Sequence, residues 1–181
     1  MKIVYSIVLA AGLLLGASAR AESDTARWDS VVLLDVQGLF GGRDLWIAAD
    51  GKAVCRIVSP PGRGEKGLQE TRYEFDLSEE QRAALNELLR KHDFFSIRIR
   101  DRPGVPDEAR PTVFVTSGAR SHAVGKWAND RHRNFDPIYQ ALLGIADSAK
   151  KGEPVHRGAW DRTWWPEGFP ESGQIREAAG T

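Results

Sequence analysis

The sequence predicts an α+β domain, an antiparallel sheet of about five to six strands with two helices packed on one face. Segments of apolar–polar alternation are joined by tight turns at Asp50-Gly51 and Gly118-Ala119. Two other segments, 78–92 and 136–150, carry helical periodicity instead. Each helix follows a group of strands, so strands and helices segregate rather than alternate as parallel βαβ units.

Taken in order, residues 1–21 read as a secretory signal peptide. Lys2 supplies a positive start, and residues 3–15 form an apolar run. That run falls short of the roughly 20 residues a membrane span needs. Ala19-Arg20-Ala21 then offers a small-residue cleavage site before Glu22. The expectation is a periplasmic or secreted protein with no membrane span after cleavage. Residues 22–181 leave one α+β domain over 22–152 and a Trp-rich C-terminal extension over 153–181.

Residues 31–36 form the first strand, broken by the glycines between 38 and 42. Residues 45–49 and 53–58 pair as a hairpin, with Asp50-Gly51 suited to a type I′ turn. A Gly/Pro-rich loop covers 59–67. In 71–77, Tyr73, Phe75 and Leu77 share one face and Arg72, Glu74 and Asp76 the other, the pattern of a half-buried strand. Ser78 and Gln81 fit a capping box at the start of the first helix. Its apolar stripe is Leu85, Leu88, Leu89 and His92. Residues 94–100 read as an extended segment anchored by Phe94 and Phe95. After the proline-rich loop 101–111, residues 112–117 and 120–127 make a second hairpin. Asp136 as N-cap and Pro137 at the first helical position open the second helix. Its stripe is Ile138, Leu142, Ile145 and Ala149.

The extension is aromatic, with Trp160, Trp164, Trp165 and Phe169 in ten residues. Such density is foreign to a disordered tail. It either folds back over the open sheet face or binds a partner.

Charge excludes some functions. The chain has 25 basic and 25 acidic residues, and losing Lys2 and Arg20 with the leader leaves a net charge of −2. This balance makes no case for nucleic acid or for an anionic membrane surface. The single cysteine, Cys55, cannot form an intramolecular disulfide; alternation places it beside Ala53 and Ile57, as a small buried side chain or a reactive thiol. The sequence has no nucleophile elbow G-x-S-x-G, no H-E-x-x-H, no C-x-x-C and no EF-hand loop. No cofactor or metal is expected.

Two polar clusters remain. In 101–110, Asp101, Asp107 and Glu108 stand with Arg102 and Arg110, as an ion-paired loop or as oxygen ligands for a hard cation. In 126–136, Asp130 and His132 suit an acid–base pair. With one of Asp101, Asp107 or Glu108 they would make a metal-assisted hydrolase. Arg110, Lys126, Arg131 and Arg133, beside Asp130 and His132, are the candidates for a small-ligand or anion site. His92 suits a helix stripe and its C-terminal dipole; His156 lies in the tail.

Residues 40–149 resemble a family of bacterial secreted domains of unknown function. The resemblance rests on the hairpin around Asp50-Gly51, the opening Leu77-Ser78-Glu79-Glu80-Gln81, the exit Phe94-Phe95, the loop start Asp101-Arg102-Pro103, and the final hairpin and helix. That family often carries paired cysteines before the first hairpin, where this chain has Phe40-Gly41-Gly42. The resemblance implies export and no assigned activity. The leading expectation is therefore a non-catalytic domain that binds an envelope or extracellular macromolecule. Trp160, Trp164, Trp165 and Phe169 are its partner-binding candidates.

Overall fold

The computed structural model describes residues 28–178; the signal-peptide reading of residues 1–21 lies outside the described residues. The strands are β1 (Ser30–Leu34), β2 (Gly42–Ala48), β3 (Lys52–Ser59) and β4 (Gln69–Asp76), then β5 (Thr112–Ser117), β6 (Arg120–Gly125) and β7 (His156–Ala159). The helices are α1 (Glu79–Lys91), α2 (Phe135–Ala149) and α3 (Ser172–Ala178). All seven strands join one antiparallel sheet in the order β6-β5-β1-β2-β3-β4-β7. Among the described residues, no helix is long and apolar enough to cross a membrane.

The fold class is α+β, with corrections to its detail. Five to six strands become seven, and two helices become three. The extension supplies β7, whose backbone pairs with β4 from Gln69–Ala159 to Arg72–His156. The segment after α1 is not extended throughout. Asp93 takes a left-handed φ of 43° and leads into a single 3-10 turn, Phe94–Ser96. That turn drives Phe94 and Ile97 into the core, so the apolar anchors serve packing without a strand.

The first hairpin also differs. Gly51 has a φ of +97°, but Asp50 does not share its sign, so the turn is not type I′. Three residues separate β2 from β3, and Gly51 N–H donates to Ala48 O at 2.9 Å. Asp50 instead accepts from Lys52 N–H through its carboxylate at 3.0 Å. A type I turn closed by a left-handed glycine needs no positive φ at the aspartate.

The capping box of α1 is complete, with Gln81 N–H donating to Ser78 Oγ and Ser78 N–H donating to Gln81 Oε1. The start of α2 is a correction. The helix begins at Phe135, after Asn134, and Asp136 sits inside its first turn. The Asp136 carboxylate accepts from His132 N–H at 3.0 Å, one turn back. It acts as an acid near a helix N-terminus rather than as the cap residue.

Alternation along each strand sorts the side chains into two clusters. Val31, Leu33, Leu45, Ile47, Cys55, Val113 and Val115 form one with Leu85 and Leu89 of α1 and Ile138, Leu142 and Ala146 of α2. The opposite face carries Val32, Trp46 and Phe114, all buried. Trp164, Trp165, Phe169 and Ile175 cover that second face. Trp164 and Trp165 meet Trp46 edge-on at 5.8 and 5.1 Å between ring centroids. A sheet apolar on both faces needs both faces covered.

Ending the chain at Pro154 uncovers Val32, Trp46 and Phe114 together. At about 1.5–3 kcal/mol for each large side chain, the loss is about 5–9 kcal/mol, comparable with a whole domain's stability. Denaturant titration is expected to show no cooperative transition for this truncation. A transition with an unchanged midpoint would contradict the covering role of the tail.

Candidate functional site

The 101–136 region draws most of its candidates into internal bonding. Arg102 stands at its centre. Its guanidinium donates to Glu108 Oε1 at 2.8 Å and to Asp130 Oδ1 at 2.9 Å. This holds the Glu108 carboxyl down at about 2, with Asn129 and Val105 N–H adding to the effect. Asp130 is therefore paired to Arg102, and His132 faces a different way, its Nδ1 accepting from Phe135 N–H at 3.2 Å. Glu108 and Asp130 do converge, but on a guanidinium that takes the place a cation would need. Asp101 pairs with Arg110 at 3.2 Å, and Asp107 is exposed in a left-handed conformation, φ 61°. Among the described residues, no group of three or more His, Cys, Asp or Glu is placed to hold a metal ion.

Trp127 organises this loop. Its Nε1 donates to Arg102 O at 3.0 Å, and Arg102 and Arg110 lie 5.7 and 5.4 Å from its ring centroid. Gly104 packs on that ring so closely that a Cβ there would come within 2.4 Å of it. Lys126 is buried, donates to Trp127 O and Asp130 O, and lies 3.4 Å from Asp136. Arg131 and Arg133 stay exposed. Of the four anion candidates, Arg110 and Lys126 are thus drawn into the fold and Arg131 and Arg133 face solvent.

Cys55 is buried, with Sγ donating to Ala146 O at 3.7 Å. Burial, then the nearby Asp44 charge, pushes its thiol up to about 12, so it stays protonated at physiological pH. Gly62, Gly64 and Gly67 have the spacing of a dinucleotide-binding loop. They link β3 to β4, two antiparallel strands, and open no helix to face a pyrophosphate.

A second polar assembly lies on the tail-covered face, where sequence reasoning found no site. Strand register lines up Asp44, Arg56, Arg72 and His156 across β2, β3, β4 and β7. Asp44 and Arg56 form a buried ion pair at 2.6 Å, their side chains 3% and 6% exposed. Asp44 Oδ1 also accepts from Asp35 N–H and Val36 N–H. Burial pushes the Asp44 carboxyl up, while Arg56 and these two amides pull it back. The rest of the Arg56 guanidinium reaches the tail, donating to Asp161 O at 3.2 Å and Trp164 O at 3.1 Å. Trp164 lies between two cations, 5.6 Å from Arg56 and 3.8 Å from Arg72. Arg72 pairs with buried Glu70, which also lies 3.4 Å from His156 Nε2. The one legible signal was Arg56 itself, a charge on the strand face it shares with Val54 and Val58.

Where the tail leaves the sheet, a cavity of about 640 Å³ opens over the Asp44–Arg56 pair. Trp160, Trp165 and Phe169, three of the four partner-binding candidates, line it with Arg162, Glu167 and Glu171. Arg162 stacks over Trp160 at 4.8 Å, and Trp165 Nε1 donates to Pro170 O at 3.0 Å. The fourth candidate, Trp164, is taken up by the arginines and by Trp46. Comparisons with protein-family models, curated proteins and solved structures found no match for this chain.

Asp35 borders this assembly from the α2 side, where Tyr139 Oη donates to its Oδ2 at 2.9 Å. Burial, opposed by that bond, raises its carboxyl to about 6. A folded-state value above the unfolded one gives a stability contribution present below about pH 4 and lost as pH rises through about 6. Asp35→Asn should remove that slope. The difference between wild-type and variant unfolding free energies should change over this window and level off above it. A constant difference would contradict the assignment.

Asp44→Ala leaves Arg56 buried without its partner, a loss of about 3–5 kcal/mol in denaturant titration. Asp44→Leu with Arg56→Met should recover only part of this, because the Asp161 and Trp164 carbonyls also lose their donor. Full recovery would mean that Arg56 does not hold the tail.

Proposed function

We propose that this chain is an exported, non-catalytic binding domain of a bacterial envelope or its surroundings. Its ligand enters the cavity between the tail and the second sheet face. That cavity carries the reading. About 640 Å³ is within the usual size of ligand pockets, and its walls combine aromatic faces with a few charged groups. The base is held rigid by the Asp44–Arg56 pair and its four further bonds, as a preorganised site requires.

The leader at 1–21 supports export, and so does the resemblance to secreted domains. A macromolecular partner is favoured by the tip between β1 and β2. Gln37 and Gly41 exchange backbone hydrogen bonds there and lift Leu39 and Phe40 into solvent, 68% and 59% exposed. A Cβ on Gly38 would stand 4.0 Å from Arg162 Nη2, so this apolar tip adjoins the cavity rim.

Thermal melting of the purified chain against metals, inorganic anions, sugars and cell-wall fragments tests the reading. Ligand at about 100 times its Kd stabilises by about 2.7 kcal/mol, or about 5–10 °C for a domain of this size. One class is expected to give that shift, and Trp160→Ala is expected to abolish it. A flat response across the panel would overturn the binding reading. Mass analysis of the protein from the periplasm or medium should give a chain starting at Glu22; uncut cytoplasmic protein would overturn export.

A further inference from the structure

We infer that the ligand is a neutral linear oligosaccharide, laid along the tail–sheet seam and crossing Phe169. This rests on the binding reading above and names the ligand class. The length argument comes from a second hollow of about 410 Å³, walled by Lys52, Val54, Phe75 and Asp76. It shares Glu167 and Phe169 with the first, so the two hollows are neighbours along one seam. A compact ligand fills one hollow; a linear polymer occupies both.

Charge decides between ligand classes. The Asp44–Arg56 pair is closed on itself. Around both hollows the remaining acids, Glu74, Asp76, Glu167 and Glu171, face only Lys52 and Arg162. A phosphorylated or sulfated ligand would meet like charge. An alkylammonium at Trp160 would compete with a cation already in place, since Arg162 lies over that ring at 4.8 Å. A pyranose ring fits what remains. Its polarised C–H face matches the negative face of an aromatic ring. Its hydroxyls donate to Glu167 and Glu171 and accept from Arg162, and it brings no charge to be desolvated. Trp165 is anchored through Nε1 to Pro170 O, whereas Trp160 Nε1 has no partner among the described residues. Trp160 is covered by Arg162, so Trp165 and Phe169 are the lining rings left for a sugar to lie against.

Titration calorimetry on the purified chain tests this. The probes are gluco- and N-acetylglucosamine oligosaccharides of increasing length, with tetramethylammonium, inorganic phosphate and a lysine-rich peptide as comparators. Affinity for one sugar series should rise about tenfold or more from monomer to tetramer. It should be insensitive to salt between about 0.05 and 0.5 M. Trp160→Ala and Glu167→Gln should each weaken it about tenfold. Glu167 is exposed, so its variant should keep the wild-type melting temperature. Binding of tetramethylammonium, phosphate or the peptide in place of sugar, with the same sensitivity to Trp160→Ala, would overturn the ligand class and leave the binding reading standing. Sugar binding without length dependence would overturn the linear seam. No binding by any probe, together with a flat melting panel, would overturn both.

Discussion

One buried guanidinium ties this molecule together. Arg56 is buried between Val54 and Val58 on its strand face, a placement whose desolvation cost is several kcal/mol unless it is paired. Asp44 is its cross-strand neighbour, and together they place a closed ion pair beneath the tail. Arg56 Nη1 then donates to the carbonyls of Asp161 and Trp164. A group that must be satisfied thereby sets where the chain crosses back over the sheet. Arg72 extends the same logic one strand further, where two arginines face each other across β3 and β4 with Trp164 between them.

The tail fills the second sheet face unevenly. Trp164, Trp165 and Ile175 cover the centre, against Trp46 and Phe114. At the seam the chain turns through Pro166, Gly168 and Pro170, and two hollows remain on either side of Glu167 and Phe169. The site is thus a consequence of how the covering is built. Its base is strand backbone and an ion pair, its walls are aromatic, and its rim is loop. That combination suits recognition, with a rigid floor and adjustable edges.

The loop 101–110 and the connection 126–136 show the same economy at the other end of the molecule. Arg102 joins Glu108 to Asp130, and Trp127 seats both Arg102 and Arg110. Two polar segments far apart in sequence become one interlocked surface. Groups that looked like chemistry, Asp130 and Lys126 above all, spend their hydrogen bonds on holding that connection.

What the sequence determined by itself was local: the capping box at Ser78, the glycine turns, the alternation that put Cys55 with Ala53 and Ile57, and the helical stripes of α1 and α2. Each depends on residues within a few positions of one another, and their geometry follows from backbone sterics and short-range hydrogen bonds. The dipeptide Asp50-Gly51 does not fix its turn, because a glycine turn has more than one solution and the choice depends on loop length as well. The apolar run at Phe94–Ser96 specifies burial without specifying conformation, so its 3-10 turn is not legible locally. Tertiary structure alone decided the rest. Only strand register brings Asp44, Arg56, Arg72 and His156 into one row, and only the return of the tail closes a cavity over them. Arg72 and His156 are 84 positions apart, and Arg56 and Trp164 are 108 apart. No local pattern encodes them, because the energy that selects them, burial of both sheet faces with Asp44 and Arg56 paired between sheet and tail, exists only once the whole chain is in place.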